Sequence, residues 1–110
     1  MEWRIKYFNN SVEKAILGLP AGILAKYLRL TDLILEFGPN LGMPHTKFLK
    51  SGLIELRVKS KEGIARVFFC TIINKQIVML HVMIKKTQKI PKKEFRIAML
   101  RLKEVKENES

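Results

Sequence analysis

Leu53-Ile54-Glu55-Leu56-Arg57-Val58-Lys59 alternates apolar and charged side chains without a break. A period of two marks a strand with one face in a core and the other turned away from it. Ser60-Lys61-Glu62-Gly63 supplies turn chemistry. Ile64–Ile73 reads as a second strand, apolar on both faces except for Arg66. Asn74-Lys75 makes a tight hairpin, less favourable than Asn-Gly. Gln76–Ile84 is then a third strand, running into Lys85-Lys86-Thr87-Gln88-Lys89. Three strands joined by short turns form an antiparallel sheet that the rest of the chain must cover.

Working outward, Trp3 to Phe8 mixes aromatic and β-branched residues with Arg4 and Lys6 and reads as a further strand. Asn10 offers an N-cap, with Glu13 three residues on in the manner of a capping box. A short helix to about Gly18 follows, and Pro20 suits the first turn of the next. From Pro20 to Phe37, Lys26, Arg29, Asp32 and Glu36 form a narrow polar stripe on an otherwise apolar helix. A helix so widely apolar is expected to be mostly covered. Gly38-Pro39-Asn40 ends it. A loop with Gly42, Pro44, His45 and Gly52 leads back to the sheet, and His45 there reads as structural or solvent-facing. After Pro91 a last helix reaches about Lys106, with Phe95, Ala98, Met99, Leu102 and Val105 on one stripe. The expected order is β-α-α-β-β-β-α, an α+β layer arrangement in one domain over residues 1–106, with 107–110 as a frayed tail.

Charge narrows the function classes. Twenty-one Lys and Arg stand against ten acids in 110 residues, a net charge of +11 and a pI near 10.1. The first 40 residues hold five basic and four acidic side chains, residues 41–84 seven and two, and residues 85–110 nine and four. An excess gathered in the second half points to a polyanionic partner, nucleic acid above all. The single Cys70 excludes a disulfide framework or a cysteine-based zinc site and fits a reducing cytoplasm. The first residues lack an apolar signal core, and no apolar run approaches the ~18 residues of a membrane span. HExxH, Walker, GxGxxG and GxSxG patterns are absent, and two lone histidines make neither a triad nor a metal site.

Strand alternation places the charges. If the helices cover the face bearing Ile54, Leu56 and Val58, the opposite face carries Arg57. With Val67 and Phe69 in the core it also carries Arg66, beside Phe68 and Cys70. With Val78, Leu80, Val82 and Ile84 in the core, the third strand adds His81 and Lys85. The expectation is thus one open face with Arg57, Arg66, His81 and Lys85 converging as a phosphate site. Arg57, beside Glu55, reads equally well as a solvated strand charge, and His81 as a hydrogen-bonded core histidine. Arg66 is harder to explain as structure, because an unpartnered guanidinium among Val67, Phe68 and Phe69 is costly. The Lys85–Lys89 run joins point charges to two hydrogen-bonding side chains, Thr87 and Gln88, a composition suited to phosphates.

These residues resemble a known family. Gly52-Leu53-Ile54-Glu55-Leu56-Arg57, Gly63-Ile64-Ala65-Arg66-Val67-Phe68-Phe69, Leu80-His81 and Lys85-Lys86-Thr87-Gln88-Lys89-Ile90-Pro91 follow the order and spacing of the phage-derived, HigB-like branch of the RelE/ParE toxin superfamily. The resemblance implies a RelE-like fold and the toxin of a type II toxin–antitoxin pair. It further implies a metal-independent, cofactor-free endoribonuclease that cuts mRNA on the ribosome and is blocked by an antitoxin, often a helix-turn-helix protein. By the same resemblance Arg66 matches the strand arginine aimed at the scissile phosphate, and Arg57 a phosphate or substrate contact. Lys85 and Lys86 match a basic pair, either of which holds phosphate or moves a proton, with Thr87, Gln88 and Lys89 as further phosphate contacts. His81 matches a recurrent histidine and is the second acid/base candidate. The chain departs from the pattern in two places. Many relatives carry a catalytic tyrosine near the C-terminus, whereas the last tyrosine here is Tyr27; and Val82 and Met83 follow the histidine where Gly and an aromatic are frequent. A ParE-like toxin that binds gyrase without catalysis, and a basic RNA- or ribosome-binding protein, are the alternatives.

Overall fold

A computed structural model describes residues 2–84 and 89–109. The elements run β1 (Arg4–Tyr7), α1 (Asn10–Leu17), α2 (Ala21–Phe37), β2 (Thr46–Phe48), β3 (Ile54–Ser60), β4 (Gly63–Ile72), β5 (Gln76–Ile84) and α3 (Lys92–Glu109). The sheet order is β1-β5-β4-β3-β2. β1 lies parallel to β5, and the other pairings are antiparallel. The chain therefore starts on one edge, crosses a face through α1 and α2, and returns strand by strand from the other edge.

The expected α+β order holds, with one addition. β2, three residues long, pairs Thr46, Lys47 and Phe48 with Leu56, Glu55 and Ile54. A strand this short is too brief for period-two patterning to register. Local chemistry accounts for most boundaries. The α1 cap is Asn9 rather than the expected Asn10: its side chain accepts from the Val12 N–H at 2.9 Å. Gly38 closes α2 at φ +93, its N–H donating to the Ile34 carbonyl at 2.7 Å. Asn74 and Lys75 both take positive φ, as a primed two-residue hairpin requires. α3 continues to Glu109, beyond the expected end at Lys106. Glu109 Oε2 there accepts from the Ile73 N–H at 2.6 Å, which ties the last turn to the β4–β5 hairpin.

The expectation of one open sheet face is corrected. α1 and α2 cover the face of Ile54, Leu56, Val58, Ala65, Val67, Phe69, Ile77 and Met79. α3 folds back over the other, where Phe68, Cys70, Val78 and Leu80 pack against Ala98 and Leu102. The stripe read on the last helix is what covers it. A β-bulge breaks the simple alternation on β5: Phe68 pairs with His81 but Phe69 with Met79, leaving Leu80 as the extra residue. Val78 and Leu80 accordingly join the α3 side, whereas unbroken alternation would group them with Val82. Arg101 Nη1 donates to the Leu80 carbonyl at 2.7 Å, so α3 supplies a partner at the bulge.

α2 is also less enclosed than its composition promised. Ile23, Tyr27, Leu30, Thr31 and Ile34 are buried, while Leu28, Leu35 and Phe37 remain exposed, Phe37 by 69%. One sheet face can bury only one stripe of a helix, whatever the composition of the rest.

Candidate functional site

The register aligns two rows of three side chains across β3, β4 and β5 on the α3 side. Arg57, Arg66 and Met83 form one row, and Glu55, Phe68 and His81 the next. Side chains directly opposite one another on paired strands are close neighbours, and diagonal ones remain within reach of long side chains. Glu55 uses that diagonal. Its Oε2 lies 3.0 Å from Arg66 Nη1, and its Oε1 accepts from Arg57 Nε at 3.3 Å.

The three charges differ in access. Glu55 is 1% exposed and Arg66 2%, whereas the Arg57 side chain is 28% exposed. Arg66 therefore does not stand on an open surface, contrary to the sequence reading. It is a buried cation, and the partner it required is Glu55. Two arginines facing each other on adjacent strands would repel; the shared carboxylate offsets this and fixes the Arg57 guanidinium at the margin of the buried pair.

His81 is held from above. Its Nε2 lies 2.8 Å from Glu94 Oε1 in the first turn of α3, and its ring stacks on Phe68 with centroids 6.2 Å apart. A carboxylate on one ring nitrogen sets the tautomer and orientation of an imidazole. His81 also lines a small cleft of about 180 Å³ with Ser11, Val12, Ala15 and Arg101. The dyad is thus partly accessible, with its ring orientation fixed.

The structure joins Arg57 and Arg66 through Glu55 and places His81 on the same sheet face, two strands from Arg57. Lys85, Lys86, Thr87 and Gln88 lie outside the described residues, and Lys89, which follows them, is exposed. Sequence reasoning passed over Glu55 and Glu94. Glu55 left a signal, since it sits two residues before Arg57 on the same strand face. Glu94 left none, because its contact needs α3 to fold back over β5. Among the described residues, no cluster of His, Cys, Asp or Glu suits a metal ion, and no helix is long and apolar enough to cross a membrane.

A sheet of this order, with two helices on one face and one on the other, is the RelE fold. The chain matches a structure titled as the archaeal RelE–RelB complex from Pyrococcus horikoshii OT3, with a TM-score of 0.55 and 23% identity over 76% of this chain and 96% of that one. The chain belongs to the phage-derived Gp49-like protein family, whose model matches residues 14–103. No curated protein matches it in sequence. A phage-derived family with the RelE fold is what the resemblance in the second half of the chain implied.

Proposed function

We propose that this protein is the toxin of a type II toxin–antitoxin pair, acting as a metal-independent endoribonuclease on mRNA at the translating ribosome. The observation that carries the reading is that one face of a RelE fold bears both a carboxylate-tethered imidazole on β5 and a fixed, partly exposed arginine on β3, with β4 between them. In such a reaction a ribose 2′-oxygen attacks the adjacent phosphorus. The 2′-hydroxyl loses its proton, the 5′-oxygen leaves and gains one, and a 2′,3′-cyclic phosphate remains. Arg57 would hold the phosphate as its negative charge grows. Arg66 acts through Glu55, which aligns Arg57. His81, oriented by Glu94, serves as one proton-transfer group and Lys85 as a candidate for the other. Lys86, Thr87, Gln88 and Lys89 would grip flanking phosphates.

The partners of this reading are mRNA, the ribosome and a cognate antitoxin, a small helix-turn-helix protein, with the cytoplasm as the compartment. The test is purified protein added to translating ribosomes. The expected result is cleaved mRNA, abolished by Arg57→Ala in a folded variant. Intact mRNA at high protein concentration, together with normal growth of expressing cells, would refute it. The burial of Arg66 favours a second reading, a ParE-like toxin that binds gyrase without catalysis. That reading expects DNA-damage signalling on induction without mRNA cleavage.

A further inference from the structure

A second group of basic side chains shares Arg57 with the site above and otherwise has no part in that reaction. Lys26 of α2, His45 of the loop before β2, and Arg57 and Lys59 of β3 line a cleft of about 370 Å³ with Pro44 and Ile64. None of these six lining residues is acidic, and among the described residues neither lysine has an ion-pair partner.

The basic residues of this cleft come from three separate segments, and each segment is fixed in place. Glu62 Oε1 accepts from the Gly22 N–H at 2.5 Å, pinning the first turn of α2 to the β3–β4 turn one helical turn ahead of Lys26. The His45 carbonyl accepts from the Arg57 N–H at 2.8 Å, and the His45 N–H donates to the Gly42 carbonyl at 2.9 Å. These two bonds hold the loop against β3 just beyond the point where its pairing with β2 ends. Lys59 follows Arg57 by two residues on the same strand face, a separation of about 6.8 Å. Arg57 shares the Glu55 carboxylate with Arg66, so with Lys26 and Lys59 beside it the cationic charge around the cleft exceeds the anionic and the potential there is positive. Pro44 and Ile64 add apolar wall suited to a ribose or a base edge.

We infer that this cleft is a phosphodiester subsite, which receives the RNA backbone one nucleotide step from the phosphate held by Arg57. The inference rests on the ribonuclease reading of the adjoining site. Arg57 belongs to both places, so the strand β3 lays out a track from Arg57, at the margin of the buried Glu55–Arg66 pair, to Lys59 with Lys26 and His45 at the strand end. A single strand following this track leaves the sheet between α2 and the loop carrying His45.

The test is fluorescence anisotropy with two labelled single-stranded RNAs, a hexanucleotide and a dinucleotide, each carrying 2′-O-methyl riboses so that neither is cut. Lys26→Ala and Lys59→Ala should each weaken hexanucleotide binding about fivefold at 0.1 M salt and lower the salt slope by about 0.7, as for one lost phosphate contact on a single strand. Dinucleotide binding should be left within twofold, because it reaches only Arg57. Lys14→Ala, an equal loss of charge on exposed α1, should change neither. Far-UV circular dichroism checks each fold, with Lys59→Gln as a second substitution at the outermost position. Equal losses for Lys14→Ala and Lys59→Ala, or unchanged hexanucleotide binding in both cleft variants while Arg57→Ala weakens it, would overturn the subsite alone. A wild-type protein that binds neither RNA would overturn the ribonuclease reading and the subsite with it.

Discussion

Removing Glu55 should destabilise this protein more than removing either arginine it binds. The Glu55 and Arg66 side chains are 1% and 3% exposed and meet at 3.0 Å. Breaking a buried pair by deleting one partner costs about 3–5 kcal/mol, because the other charge is left without compensation. Arg66→Ala leaves Glu55 with Arg57 at 3.3 Å, so the low end applies, about 3 kcal/mol. Glu55→Ala strands Arg66 in the interior opposite a like charge, which places it near 5 kcal/mol. Arg57 is more than a quarter exposed, and Arg57→Ala should cost no more than about 1 kcal/mol. The apolar double replacement Glu55→Leu with Arg66→Met should recover most of the loss. Urea unfolding followed by Trp3 fluorescence and far-UV circular dichroism gives the order directly. The Arg66→Ala protein should also melt on the order of 10 °C below wild type. An Arg66→Ala protein within about 1 kcal/mol of wild type would show that the pair is not buried as described. So would Arg57→Ala proving the costliest of the three.

Gly38→Ala should cost about 2 kcal/mol in the same unfolding assay, because φ +93 with ψ 176 is a region essentially confined to glycine. The added Cβ would also stand 3.3 Å from Trp3 Nε1. Burial, with Glu109 nearby, pushes the Cys70 thiol up to about 11 against the opposing Lys106, so native protein at pH 8 should resist alkylation that unfolded protein undergoes readily. A thiol pKa raised by folding leaves stability intact below the unfolded value and lowers it as pH climbs from about 9 to 11. Cys70→Ala should remove that part of the alkaline slope, and an unchanged slope would contradict it. If the protein cuts RNA, His81→Ala should lower the cleavage rate about 10²–10⁴-fold. Glu94→Gln should fall between that variant and wild type; equal rates for all three would remove the dyad from the mechanism.

Much of the site was legible because strands write their faces into alternate residues. The spacing of Ile54, Leu56 and Val58 against Glu55, Arg57 and Lys59, taken with Val67 and Phe69 as core, is enough to put Arg57 on the same face as Arg66. It did not reveal that α3 covers this face, although the stripe of Phe95, Ala98, Met99, Leu102 and Val105 was visible. An apolar stripe says that a helix needs a partner surface, and not which one. The bulge at Leu80 was equally hidden: one extra residue turns Val78 and Leu80 to the α3 side, and no local composition marks it.

By itself the sequence determined the element order, the antiparallel hairpins, the basic second half and the cationic identity of the strand residues. Those follow from periodicity, turn chemistry and charge, which act over a few neighbouring residues. Only the tertiary structure decided that Arg66 is a buried partner of Glu55, that Glu94 orients His81, and that Lys26 and His45 share a cleft with Arg57 and Lys59. These groups converge from segments up to 33 positions apart. Their proximity arises from how helices and loops settle on the sheet, and long-range packing of that kind leaves no local pattern to read.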